Sequence, residues 1–219
     1  MNRIRSSSAA LALVVGVALL AVGCAPAAES TPTPTAVAEA PTETPEPPKV
    51  YPANADYFFV SDEGAVGKFA FPGEPNASIE ELRNIVGAAP VTYVTVVVDN
   101  RQGAAPVNMY ELAAFDADGR KYTFSTVDTF MDDWMTTIGT ETNEEIDLYN
   151  RFVDAVNANM IYAEVGMVAT FVMASADLDL PAEFTRITVQ ASGGMTPGVE
   201  VRPVSEAEDA GVDLSFEAP

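Results

Sequence analysis

The chain contains no histidine, a single cysteine (Cys24) and only three lysines, Lys49, Lys68 and Lys121. Without histidine, the commonest general base and transition-metal ligand is missing. Ser-His-Asp, Cys-His and HExxH arrangements therefore cannot be built. One cysteine excludes an intramolecular disulfide and a cysteine-rich metal site. Positive charge is scarce too: 11 Lys and Arg stand against 32 Asp and Glu, a formal net charge of −21. Such a chain is repelled by nucleic acid and by anionic membrane surfaces, so no nucleic-acid partner is expected. It suits basic or cationic partners, or simply a well-solvated surface. Carboxylate pairs of the glycosidase type remain available. Acids are so numerous here that their presence alone says little.

What is present begins at the N-terminus. "MNRIR" supplies Arg3 and Arg5, and "AALALVVGVALLAV" (Ala9 to Val22) follows as an apolar run. That run is shorter than the ~20 residues a membrane-spanning helix needs. A basic start and a short apolar core are the layout of a secretory signal peptide. The closing "AVGC" resembles the bacterial lipobox, in which small residues precede a cysteine. Ala21 stands where leucine is more usual in that motif, with Leu20 one place earlier. The resemblance implies cleavage between Gly23 and Cys24 and attachment of a diacylglyceryl group to the Cys24 thiol. The membrane would then be a partner through the lipid on Cys24, with the protein on the extracytoplasmic face of a bacterial cell membrane. Two acyl chains suffice for stable anchoring where one is marginal. Two alternatives stay open. Cys24 is an incidental thiol in an ordinary signal peptide cut near "APAA", or the charge-free run from Ser6 to Ala28 stays in the bilayer as an uncleaved anchor.

Residues 24–52 are rich in Pro, Thr, Ala and Glu, with almost no large apolar residue before Val50. Such a segment cannot bury enough surface to offset its ordering entropy, which predicts a disordered linker with polyproline II bias. At about 3.1 Å per residue it reaches roughly 70–90 Å.

The pattern then changes to that of a folded domain over 53–204, followed by an acidic flexible tail, 205–219. "DYFFV" (56–60), "GKFAF" (67–71), "VTYVTVVVDN" (91–100), "VNMYELAAFD" (107–116), "RKYTFS" (120–125), "MVATFVMA" (167–174), "FTRITVQA" (184–191) and "GVEVRPV" (198–204) read as strands. The near-continuous apolarity of 91–100 argues for a central strand with both faces covered, or with one face under a helix. "SIEELRNIVG" (78–87) predicts a short helix, with a capping box at Ser78 and Glu81 and a stop at Gly87. Asp116-Ala-Asp118-Gly119 resembles the start of a calcium loop, but its glycine is too early and no closing Glu follows, so a hairpin turn is predicted.

Residues 126–160 break the strand pattern. Val127, Phe130, Met131, Trp134 and Ile138 form one helical stripe that ends near Gly139. Ile146, Tyr149, Val153, Val156 and Met160 form a second, after a capping box at Thr142 and Glu145. The two read as an αα-hairpin. It carries eight acids, Asp128, Asp132, Asp133, Glu141, Glu144, Glu145, Asp147 and Asp154, against one base, Arg151.

The run "YVTVVVDNRQ…PVNMYELAAFDADGRKYTF", with the later "VGMVATFVMASADLDLPAEFTRITVQ", resembles the immunoglobulin-like accessory domain of unknown function found in Gram-positive surface lipoproteins. The likeness covers about 91–125 and 164–190, and the hairpin at 126–160 departs from it. It implies an antiparallel immunoglobulin-like β-sandwich with an inserted αα-hairpin, and no catalytic residues. Strands and hairpins without βαβ alternation point the same way.

The expected function is a non-catalytic, lipid-anchored binding or accessory module, requiring no cofactor and no metal. Its candidate contact residues are Asp132, Asp133, Glu144 and Glu145, facing a basic or cationic protein or an envelope component. The same four carboxylates would serve the competing reading, a glycan-active enzyme. A third reading is a structural envelope protein whose acidic surface loosely holds cations.

Overall fold

The computed structural model describes residues 49–191 and 198–219. The expected signal peptide, the Gly23–Cys24 cleavage and lipidation site, and the linker as far as residue 48 lie outside them. Fourteen elements follow in order: β1 (Tyr51–Pro52), β2 (Asp56–Val60), β3 (Val66–Ala70), α1 (Ala77–Ile85), β4 (Thr92–Asp99), β5 (Met109–Phe115), β6 (Lys121–Thr126), α2 (Val127–Met135), α3 (Asn143–Asn159), β7 (Val168–Ser175), β8 (Glu183–Phe184), β9 (Arg186–Ala191), β10 (Val199–Glu200) and β11 (Arg202–Pro203). Among the described residues no helix is long and apolar enough to cross a membrane.

The protein is mainly antiparallel β. Nine strands form one sheet in the order β10-β9-β5-β6-β7-β4-β3-β2-β11, and β1 pairs with β8 alongside. The sheet's two edge strands, β10 and β11, are separated in the chain only by Val201. Val199 pairs with Val189 of β9, while Arg202 pairs with Phe58 of β2. One short segment therefore stitches both edges, and the sheet curls until it is nearly barrel-shaped. Val201 sits fully buried at the crossing, its N–H donating to the Ile187 carbonyl at 3.1 Å. The sequence pattern led to two sheets face to face. A single curled sheet satisfies the same alternation, because a strand's period of two distinguishes inside from outside and not how many sheets enclose the inside.

The interior is aromatic and valine-rich. Val94, Val96 and Val98 of β4 point inward and are fully buried. Phe71 meets Phe124 and Phe184 edge-on, each at 5.2 Å between ring centres. Such contacts contribute about 0.5–1.5 kcal/mol each beyond area burial. A second apolar cluster lies on the outer face, where Tyr93, Val172 and Ala174 pack under Ile79, Leu82, Val127, Met131, Trp134, Phe152 and Val156 of the three helices. Farther along β4, Thr95 and Val97 line a cleft with Val204 and Leu214 of the C-terminal segment. The inner face of β4 is thus buried and its outer face is covered by the helices at Tyr93 and half-covered at Thr95 and Val97, which fits its near-continuous apolarity.

Both ends of the domain extend beyond the expected 53–204. Tyr51 is buried in the core, and Tyr51–Pro52 pairs with Phe184 and Glu183, so the end of the supposed linker is part of the fold. At the other end the supposed tail is packed, with Ala207 and Phe216 buried. Its apolar residues Val212, Leu214 and Phe216 alternate with acids and serine, a pattern that suits a half-covered extended segment.

Candidate functional site

The αα-hairpin is α2 and α3 with the connection 136–142. Helix α2 buries Val127, Met131 and Trp134. It ends at Met135, earlier than Gly139, and winds down through Thr136, Thr137 and Ile138, whose N–H groups reach back three residues to Asp133, Trp134 and Met135. Helix α3 begins with a full capping box. The Thr142 hydroxyl accepts the Glu145 N–H at 3.2 Å, and Glu145 Oε2 accepts the Thr142 N–H at 2.9 Å. Glu145 Oε2 also accepts the Glu141 N–H at 2.9 Å. These two backbone donors, Thr142 first, hold the Glu145 carboxyl below the usual carboxylate range. Its carboxylate lies so close to Gly139 that a Cβ there would fall 2.3 Å from Oε1.

The four expected contact residues therefore divide. Asp132 and Asp133 on α2 and Glu144 on α3 are exposed, flanking the same connection. Glu145 in addition serves the helix cap through Oε2: the carboxylate supplies acceptors that the first turn of a helix otherwise lacks. The packed stripe of α3 also differs from the expected one. Phe152 and Val156 are buried, with Leu148 and Ala155 beside them, whereas Ile146, Tyr149 and Met160 are exposed. The helix is rolled by roughly a quarter turn, which buries the wholly apolar ring of Phe152 and leaves Tyr149, whose hydroxyl would need a partner if buried, at the surface. The hairpin's one base, Arg151, is engaged with Glu81 of α1 at 2.6 Å.

Exposed carboxylates of this kind act at a distance on cations, over a screening length of about 8 Å at physiological salt. Glycoside chemistry would need two of them facing each other across a substrate cleft. Two clefts, of about 370 and 460 Å³, are lined by residues of β2, β3 and β4, of the loops beside them and of the C-terminal segment, and by none of these four. Among the described residues no three acidic or cysteine side chains gather as a metal site.

Three polar arrangements were not visible in the sequence. Glu80 accepts from Arg83 Nε and the Tyr93 hydroxyl, both at 2.8 Å, joining α1 to β4. Asn100, fully buried, donates from Nδ2 to the carbonyls of Ala105 at 2.9 Å and Ala163 at 2.6 Å, tying two loops to the end of β4. Lys68 of β3 donates to the carbonyls of Leu214, at 2.9 Å, and Phe216. A hint lay in the asparagine and nearby glycine that end the valine run "VVVDNRQG". Glu80 and Arg83 stand at the (i,i+3) spacing of one helix, but nothing local marked their link to Tyr93 or the contacts of Lys68.

No family model matches the chain. Comparison with curated proteins and with solved structures likewise finds no significant match.

Proposed function

We propose that this chain is a non-catalytic, lipid-anchored extracytoplasmic module of the bacterial cell surface, whose αα-hairpin presents carboxylates to a basic or cationic partner. The single observation that carries the recognition part is the exposure of Asp132, Asp133 and Glu144 around one connection, with the hairpin's one base drawn away to Glu81. The anchor rests on the basic start, short apolar run and cysteine of residues 3–24. Kinship with immunoglobulin-like accessory domains belongs to the same proposal. It rests on the order of valine-rich strand, acidic turn and aromatic strand over 91–125.

Two experiments test it. The combined substitution Asp132→Asn, Asp133→Asn and Glu144→Gln should leave the melting temperature unchanged and weaken capture of oligolysine at low salt, an effect that fades at high salt. Unchanged capture at both salt concentrations overturns the recognition reading. Cys24→Ser should move the protein from the membrane fraction to the medium, or leave an unprocessed precursor. Membrane retention with unchanged processing overturns the anchor.

A further inference from the structure

The C-terminal segment lies over the outer face of β2, β3 and β4. Gly211, at φ +67°, turns the chain out of the preceding helical turns in a Schellman-type cap, with the Val212 N–H on Ala207 O at 2.9 Å and its own N–H on Glu208 O at 2.9 Å. Beyond it the chain is extended. Val212, Leu214 and Phe216 face the sheet, and Asp213, Ser215 and Glu217 face solvent. Phe216 is only 5% exposed.

This segment forms no ladder with any strand. It is held by inserted side chains and by Lys68, whose ammonium lies 4.6 Å from the centre of the Phe216 ring as well as donating to the two carbonyls. Among the described residues Lys68 pairs with no carboxylate, in a chain with 32 acids. Nor does the segment fill the face. A cleft of about 370 Å³ opens beside Leu214, over Lys68, Thr95 and Val97, and one of about 460 Å³ beside Val212 and Asp213.

We infer that this face is a docking surface for an extended peptide with apolar side chains at alternate positions and a phenylalanine at one of them, and that residues 212–216 are its built-in occupant. An ammonium that reads backbone carbonyls tolerates many sequences, while the ring over the lysine sets the register. A segment held without ladder bonds belongs to the low-stability end of a fold and opens locally. A partner of the same pattern then competes with the tethered one. The inference is independent of the acidic hairpin and of the lipid anchor.

The test uses the whole chain and a fluorescent peptide of residues 211–219, followed by anisotropy. Phe216→Ala removes the internal ring and should bind the peptide at least about tenfold more tightly than the wild type, whose own segment competes at high effective concentration. Adding Lys68→Met to that variant should return binding to the wild-type level. Binding by Phe216→Ala no tighter than by the wild type overturns the inference. Loss of the cooperative melting transition in Phe216→Ala also overturns it, because the segment would then be a required part of the core. If the wild type elutes as a dimer that the peptide converts to a monomer, the occupant is the tail of a second copy and the partner-peptide reading falls.

Discussion

Thr142 and Glu145 each accept the other's backbone N–H, at 3.2 and 2.9 Å, and this reciprocal pair starts the longest helix among the described residues. The pair gives one of four neighbouring acids a structural role as well. Thr142→Ala should cost about 1 kcal/mol, the usual value for losing a threonine cap. That corresponds to a fall in melting temperature of about 2–4 °C for a domain of this size. A scan with no measurable change would mean that α3 is held by Phe152 and Val156 alone.

A larger loss is expected in the interior. Phe124 is fully buried and meets Phe71 edge-on at 5.2 Å. Phe124→Ala removes both the apolar area and the ring contact and leaves a cavity inside the curled sheet, at a cost of about 3–5 kcal/mol. Chemical denaturation should show the midpoint moving well down while the slope stays constant. A shift below about 1 kcal/mol would indicate that the interior collapses to fill the space.

Glu80 predicts a pH dependence. Arg83, bonded to it at 2.8 Å, is the main cause holding its carboxyl below the usual range, with the Tyr93 hydroxyl adding to the effect against partial burial. Because the folded value is depressed, the pair's stabilisation is fully present above the ordinary glutamate value of about 4.3 and is lost as pH falls through the folded value. Arg83→Met should therefore lower the melting temperature at pH 7, by the equivalent of about 1–3 kcal/mol for a charged hydrogen-bond partner removed. The gap to the wild type should narrow at pH 3. An equal gap at both values would show that Arg83 acts through packing or through its bond to the Ala88 carbonyl at 2.7 Å.

Tyr93 belongs to the same cluster, its hydroxyl shifted upward first by burial and then by Glu80. That junction connects residues thirteen apart through a helix and a loop, so no local pattern announces it. Turn chemistry is the opposite case. In 116–120 the Asp116 carboxylate accepts the N–H groups of Asp118 and Arg120 at 3.0 and 2.9 Å, and Gly119 takes φ +81°, as the hairpin reading of "DADG" requires. At α1 the helix was legible but its cap was not. Asn76, not Ser78, is the cap: its Oδ1 accepts the N–H groups of Ser78 and Ile79 at 3.2 and 3.3 Å, so the helix starts two residues earlier than the Ser78–Glu81 pattern indicates.

Local periodicity and capping by themselves determined the longer strands of this protein, the Gly119 turn, the two helices of the hairpin and the Thr142 cap. Each depends on interactions within a few residues, so their signals are written in consecutive positions. Tertiary structure alone decided the rest. It joined β10 and β11 into the two edges of one curled sheet, rolled α3 to bury Phe152, drew Arg151 to Glu81 and laid Val212–Phe216 over Lys68. In each of these the partner is distant in sequence, and alternation or helical period says that a face is apolar without saying what covers it. Burial goes to whichever arrangement removes the most apolar area from water while pairing the polar groups it traps, and only the assembled fold presents that choice.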